Sequence, residues 1–210
     1  MRRFLILAHK VPPDGAFTLN DLAGGAGRMD EIARAVSTAF TVSNDLRRDT
    51  EVAVVFARDP PPLARRIELA GARLRYLNPD ERSTAALMKN ALVGSSRYPS
   101  DFESSPGLRV GAVDPVPYLA AFLREEGAVW LVEDGTPIAS APLRPERFAA
   151  FVSDPFDPTP PERAVLEGSG VPRLSVGPRS LRTSQVVDVV QRELDVRAAA
   201  EGTGAAERVV

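Results

Sequence analysis

Short apolar runs alternate with amphipathic stretches along most of the chain. Arg2 to Ala8 (RRFLILA) is a basic start followed by a β-prone run, the pattern of a buried first strand. Met29, Ile32, Ala33, Val36 and Phe40 recur at helical spacing, which predicts a core-packed helix over Arg28 to Phe40. Glu51 to Ala57 reads as the second strand. Ala64 to Leu69 and Arg73 to Leu77 are two short β-prone segments around Gly71, the pattern of a hairpin. Helices are predicted over Ala85 to Leu92, Pro117 to Glu126 and Pro160 to Glu167, and strands at Ala128 to Val132, at Phe151 to Val152 and at Arg173 to Val176. Glu133-Asp134-Gly135 reads as a turn, and Pro142 to Ala150 as loop and short helix. The last helix covers Ser184 to Leu194, with Val186, Val187, Val190 and Leu194 on one face.

Between these elements, Asp59-Pro60-Pro61-Pro62 is a stiff connector, and Gly94 to Pro106 is a linker rich in Ser, Pro and Gly. Ala198 to Val210, rich in Ala, Gly and Glu, reads as a disordered tail. No internal repeat is visible. Alternating strands and helices predict an α/β protein with a mostly parallel sheet covered by helices on both faces. Ligands of such sheets bind at the C-terminal edge of the strands.

Composition narrows the chemistry. The 210 residues include no cysteine and a single histidine, His9. Thiolate metal sites, disulfides and cysteine nucleophiles are therefore excluded, and neither a Ser-His-Asp site nor a His-rich metal site is expected. A net charge of -2 gives no sign of nucleic acid. Of 26 basic residues only Lys10 and Lys89 are lysines; arginine is the better bidentate phosphate ligand, although a GC-rich genome produces the same bias. With no signal peptide and no apolar run near the ~20 residues of a membrane span, a cytoplasmic protein is expected.

Two strand ends carry the strongest local signal. Phe151-Val152-Ser153-Asp154-Pro155 and Leu174-Ser175-Val176-Gly177-Pro178-Arg179-Ser180-Leu181 each pass from apolar residues into turn formers, the second just ahead of a helix. Such mouths present unpaired backbone groups and together suggest one composite ligand pocket. Gly24-Gly25-Ala26-Gly27 lacks both the G-x-G-x-x-G spacing and a Gly-Lys-Ser/Thr, so a tight turn before a helix is expected. Asp45, Arg47, Arg48 and Asp49 are either a solvated loop with local ion pairs or a clamp for phosphate or a base. Asp80 either caps the helix that follows or, with Arg82, shapes a cleft.

Several blocks in fixed order resemble the archaeal tRNA pseudouridine(54) N1-methyltransferase family and its bacterial relatives, within the SPOUT class. They are Met1-Arg2-Arg3-Phe4, Gly27-Arg28-Met29-Asp30, Ser43-Asn44-Asp45-Leu46-Arg47-Arg48-Asp49, Leu77-Asn78-Pro79-Asp80-Glu81-Arg82-Ser83 and Glu103-Ser104-Ser105-Pro106-Gly107, together with the two strand mouths. The resemblance implies one domain over residues 1–196 whose C-terminal part, roughly 128–196, threads a deep trefoil knot. It implies S-adenosyl-L-methionine as cofactor, bound by Leu131, Ser153, Val176, Gly177, Pro178, Arg179, Ser180, Leu181 and Val186. It further implies a homodimer, tRNA as partner, no metal and no membrane. Asp45 would orient the base or take its proton, while Arg47 and Arg28 would hold phosphate or a base carbonyl. The chain departs from the family pattern at Asn44, at Pro155-Phe156 and over Leu181 to Gln185. The alternatives are a related methyltransferase with another substrate and a knotted RNA-binding protein without catalysis.

Overall fold

The computed structural model describes residues 1–57, 64–95 and 100–206. In chain order the elements are β1 (Arg2–Ala8), α1 (Met29–Phe40), β2 (Thr50–Phe56), β3 (Arg65–Ala70), α2 (Glu81–Ser95), β4 (Phe102–Ser105), β5 (Leu108–Ala112), α3 (Pro115–Phe122), β6 (Ala128–Pro137), a 3-10 turn at Ile138–Ser140, β7 (Phe148–Ser153), α4 (Pro160–Gly168), β8 (Arg173–Ser175) and α5 (Thr183–Ala206). The strands form one sheet in the order β4-β5-β3-β2-β1-β7-β6-β8. β1 pairs in parallel with β2 and β7, and β6 in parallel with β7 and β8. β3 runs against β2 and β5, and β4 against β5, so all strands except β3 and β4 point one way.

The continuous apolar run of β1 reflects burial on both sheet faces. Phe4, Ile6 and Ala8 join one core with Ile32, Val36 and Phe40 of α1, Met88 and Leu92 of α2, and Val187, Val190 and Leu194 of α5. Leu5 and Leu7 point the other way, toward Leu119 and Phe122 of α3 and Leu166 of α4. Strand alternation thus divides one run between two helical layers.

Four local expectations change. The hairpin around Gly71 does not form, because β3 ends at Ala70 and the next residues turn under the Arg47 segment. A Cβ at Gly71 would lie 2.1 Å from the Arg47 carbonyl oxygen, and the Arg48 guanidinium donates to the carbonyls of Gly71 (3.1 Å) and Leu74 (2.9 Å). Instead, β3 finds β5 as its second neighbour. The linker over Gly94 to Pro106 contains the end of α2 and all of β4, while its residues 96–99 and the Asp59–Pro62 connector lie outside the described residues. Glu133-Asp134-Gly135 is an irregularity inside β6: pairing with β8 shifts between Leu131 and Thr136. A Cβ on Gly135 would sit 2.6 Å from the Leu174 carbonyl carbon, so only glycine lets β6 press onto β8 there.

The tail expectation also gives way, as far as Ala206. α5 continues past Val196, and Arg197 donates to the carbonyls of Ala141 (2.6 Å), Ile138 (3.0 Å) and Ala139 (3.1 Å). Local composition could not reveal that those carbonyls wait beside the helix.

Candidate functional site

The C-terminal ends of β6, β7 and β8 open into a cavity of about 800 Å³, within the usual ~300–1,000 Å³ range of small-molecule clefts. Its walls are held by hydrogen bonds within and between these loops. Thr183 Oγ1, at the start of α5, donates to the Ser153 carbonyl (2.9 Å), fastening the end of β7 to the segment after β8. The Gln185 side chain accepts the Arg182 N–H (3.0 Å), which is one of the two bonds of a capping box, at the head of α5. The Ser175 hydroxyl donates to the Gly177 carbonyl (3.2 Å), and the loop turns so tightly that a Cβ on Gly177 would meet the Arg179 carbonyl oxygen at 2.5 Å. Glycine is thus required here by the loop's own backbone. The Ser180 hydroxyl donates to Glu133 and closes the loop onto β6.

Of the expected cofactor residues, Leu131, Ser153, Val176, Gly177, Arg179, Ser180, Leu181 and Val186 line this cavity, while Pro178 is exposed and does not. Trp130, Val132 and Val152 add further apolar wall. Apolar surface for a flat base, with carboxylates and arginines at the rim, suits a ligand that carries both a purine and a zwitterionic chain.

One wall comes from the opposite half of the chain. Gly27 (φ 63°) and Arg28 (φ 70°) both adopt left-handed backbone just before α1. For arginine that conformation costs about 1–2 kcal/mol, and a Cβ at Gly27 would lie 2.1 Å from the Lys10 carbonyl oxygen. The double left-handed turn brings Arg28 and Glu31 to the cavity. Arg28 donates to Asp30 (2.9 and 3.0 Å) and to Glu31 Oε1 (2.9 Å), and Arg34 donates to the same Glu31 oxygen (3.0 Å). Burial pushes the Asp30 carboxyl up, but the hydrogen bonds and charge of Arg28, with Arg34 behind, hold it below its ordinary value.

Beside the cavity, β1 ends in a three-member cluster. Asp154 accepts both the His9 backbone N–H (2.9 Å) and the His9 Nδ1 contact (2.9 Å), while His9 Nε2 lies 2.9 Å from Glu162. Burial disfavours the imidazolium, yet the two carboxylates outweigh it and raise His9 to about 9. The same Glu162 accepts the Thr159 N–H (2.7 Å), completing a capping box on α4. His9 thereby joins β1, the Asp154 wall of the cavity and α4. The cluster was not visible as a site in the sequence, which leaves His9 an ordinary strand-end residue. Its one local signal was the Thr159-Pro160-Pro161-Glu162 capping pattern.

Asp45 and Arg47 are not at this cavity. The strand β1 serves as a ruler: Asp49 O accepts the Arg2 N–H (2.8 Å) at its start, and Asp154 accepts the His9 N–H at its end. Those points are seven residues apart, roughly 23 Å at ~3.3 Å per residue. Arg47 makes a two-pronged pair with Asp195 of α5 (2.8 and 2.7 Å), and Asp45 accepts from Arg48 (2.7 Å) and from the Leu46 N–H (2.7 Å). Within one chain, neither stands at the cavity that Arg28 and the strand mouths line. Arg28 alone of that trio reaches it.

The remaining candidates are structural. Asp80 accepts the Ser83 N–H (2.8 Å) as the cap of α2, and Arg82 donates to Leu19 O (2.6 Å) and Asn20 (3.1 Å). The Gly24 and Gly25 N–H groups are both taken by Asp21 (2.9 and 2.7 Å), so a carboxylate of the chain fills the place an anion would need.

The fold and cavity place the chain in a known class. It is similar over 94% of its length to Archaeoglobus fulgidus Nep1 bound to S-adenosylhomocysteine, covering 99% of that chain with a TM-score of 0.59 at 14% identity. That likeness concerns the fold, an α/β fold of the SPOUT type. Residues 1–199 match the family model described as "Putative SAM-dependent RNA methyltransferase", and the chain belongs to this family. It is 38% identical to the tRNA (pseudouridine(54)-N(1))-methyltransferase of Methanocella arvoryzae, over 94% of this chain and 100% of that protein. The enzymes of the same name from Methanosarcina mazei (37%, covering 96% of this chain and 93% of the relative) and Haloferax volcanii (34%, covering 93% and 96%) are also similar along their length.

Proposed function

We propose that this chain transfers a methyl group from S-adenosyl-L-methionine to N1 of pseudouridine in the tRNA T-loop, at position 54. The observation that carries the proposal is the shared cavity. The loop-lined mouth of β6, β7 and β8 faces the Arg28–Glu31 turn of α1 across one space, so donor and acceptor groups can meet there. Bound S-adenosylmethionine supplies an electrophilic sulfonium methyl. Leu131, Ser153, Val176, Gly177, Arg179, Ser180, Leu181 and Val186 hold the donor, with Pro178 fixing the turn from outside. Arg28 directs its guanidinium at a carbonyl oxygen or phosphate of the acceptor. Alignment of the two reactants and exclusion of water supply most of the acceleration, with proton removal contributing the rest. Pseudouridine is joined to ribose through carbon, which leaves N1 with a proton to lose, and no covalent nucleophile is required.

The same proposal includes a single domain over residues 1–196 with the knot at roughly 128–196, a homodimer and a cytoplasmic location. Among the described residues, no helix is long and apolar enough to cross a membrane. Mass spectrometry of tRNA from a strain lacking this chain tests the reading: methylated pseudouridine at position 54 should disappear. Its persistence would overturn the substrate assignment. Calorimetry with the methyl donor tests the pocket, because Gly177→Val should abolish measurable binding by forcing the loop open.

A further inference from the structure

The stretch between β7 and α4, Asp154 to Thr159, has neither strand nor helix, yet it supplies one wall of the cavity. Pro155, Pro158, Pro160 and Pro161 stiffen it and the entry to α4. His9 pins both ends: its Nδ1 meets Asp154 at the start, and its Nε2 meets Glu162 just beyond the finish (2.9 Å each). The Phe156 N–H donates to the same Asp154 carboxylate (3.0 Å). A connector held at both ends presents a fixed surface, and two of its neighbouring side chains have chemistry that the fold leaves unused.

The first is aromatic. Trp130 and Phe156 both line the cavity, but Trp130 is 5% exposed and packs into the core under α3 and α4, with the Arg173 guanidinium over its ring (5.0 Å). Phe156 is only half-buried. The Lys10 ammonium lies 3.8 Å from its ring centre, a cation–π contact that favours one ring position, and Lys10 does not itself line the cavity. The second is cationic. Of the cavity arginines, Arg28 is tied to Asp30 and Glu31, and Arg182 stands 3.8 Å from Glu31. Among the described residues, the guanidiniums of Arg163 and Arg179 have no partner; Arg179 belongs to the loop after β8, and Arg163 to the start of α4. Asp154 and Glu162 are turned to His9, and Asp157 is exposed to water, so no carboxylate of this wall occupies Arg163.

We infer that the β7–α4 wall is the subsite for the acceptor nucleotide: Phe156 stacks on the target base, and Arg163 holds a phosphate beside it. This rests on the proposed function above. To enter the cavity a base must leave its stack in the RNA, and an aromatic ring offsets that loss by giving it a new stacking partner. The nucleotide brings its phosphates to the mouth, where a free guanidinium is a two-pronged donor for one of them. The loop after β8 then serves the methyl donor and the segment after β7 the acceptor, with His9 fixing the second wall in advance of binding.

The test is binding of a T-loop RNA hairpin containing pseudouridine, followed by fluorescence anisotropy over a series of salt concentrations with the enzyme saturated by S-adenosylhomocysteine. Donor affinity and single-turnover transfer are measured alongside. Phe156→Leu should weaken hairpin binding about 5- to 150-fold, the range of one base–aromatic stack, with the salt dependence unchanged. Phe156→Tyr keeps the ring and should stay within about 3-fold. Arg163→Gln, at an exposed position, should weaken binding and reduce the slope of log K against log salt by about 0.7, the share of one phosphate on a single strand. Donor affinity should stay within about 3-fold in all three. A wild type that binds the hairpin without methylating it refutes the substrate reading, while the variants still decide the subsite; a wild type that does not bind the hairpin overturns both. If Phe156→Leu fails to fold, the Arg163→Gln slope decides. The subsite is overturned by hairpin affinity within about 2-fold of wild type in folded Phe156→Leu, by an unchanged slope in Arg163→Gln, or by a loss of donor affinity in place of RNA affinity in either.

Discussion

The two ends of β1 carry similar clusters with different surroundings. At the first residue, Arg2 is buried and donates to Gln191 (2.8 Å) and Asp195 (2.6 Å), while its Nε approaches Asp49 at 3.3 Å. At the far end His9 lies between Asp154 and Glu162. Each is a cation between two carboxylates that staples the strand to a helix, α5 in one case and α4 in the other. Only the second cluster has a wall on a cavity. A dense, charged, ion-paired block is therefore no sign of chemistry by itself; what matters is whether the block borders a ligand-sized space. The Arg47 block pairs with α5, whereas the Arg28–Glu31 turn borders the cavity.

The sharpest way to break this comparison is to truncate the histidine. His9→Ala leaves Asp154 and Glu162 as neighbouring buried carboxylates, and should cost about 3–5 kcal/mol in denaturant unfolding. A loss below 1 kcal/mol would mean that the cluster does not hold that edge. The two ends should also fail at opposite ends of the pH scale. His9 has a folded-state value of about 9 against 6.5 when free, so its contribution is complete below pH 6.5 and is lost as pH rises through 9. Burial raises Asp195, but the hydrogen bonds from Arg47 and Arg2 hold it below its ordinary 3.8. Its contribution is complete above that value and is lost as pH falls below it. Unfolding free energies measured across pH should show the alkaline fall in the wild type and not in His9→Gln.

Next in size, Arg28→Gly should reduce single-turnover methyl transfer about 100-fold, equivalent to ~2.7 kcal/mol. Glycine accepts the left-handed backbone without strain, which offsets the lost ion pairs and keeps stability within about 1 kcal/mol. Arg47→Ala should do the reverse. Losing its two-pronged pair with Asp195 should cost about 2 kcal/mol, or roughly 4–8 °C in Tm, with transfer per folded molecule within about 3-fold. If Arg47→Ala instead abolishes transfer at unchanged stability, the two blocks have been assigned the wrong way round. The smallest effect belongs to Asp45→Asn, at an exposed residue, which should leave the unfolding midpoint unchanged. The rate should remain within 2-fold.

Periodicity located β1, α1, β2, α4 and α5 because each carries a face whose apolar spacing matches its geometry, and those spacings are local. It missed β4 and misread the segment after β3, since both depend on a distant partner: β4 exists by pairing with β5, and Gly71 turns because Arg47 and Arg48 lie across from it. The two loops that line the cavity were legible as strand ends followed by turn-forming residues, Asp154-Pro155 and Gly177-Pro178. The approach of Glu31 to the cavity was not, because a glutamate on the first turn of a helix looks solvated until the cavity beside it is known.

The sequence alone determined the α/β alternation, the two strand mouths and the absence of thiol chemistry, all properties of residues within a few positions of one another. The tertiary structure decided which charged block meets the mouths. Arg28 and Arg47 lie 19 residues apart in the same chain, with equivalent side chains, but a strand has two ends. The left-handed turn at Gly27-Arg28 leads α1 to the cavity end, and the loop into β2 starts at the other, so the length of β1 separates a guanidinium that lines the cavity from one that pairs with α5.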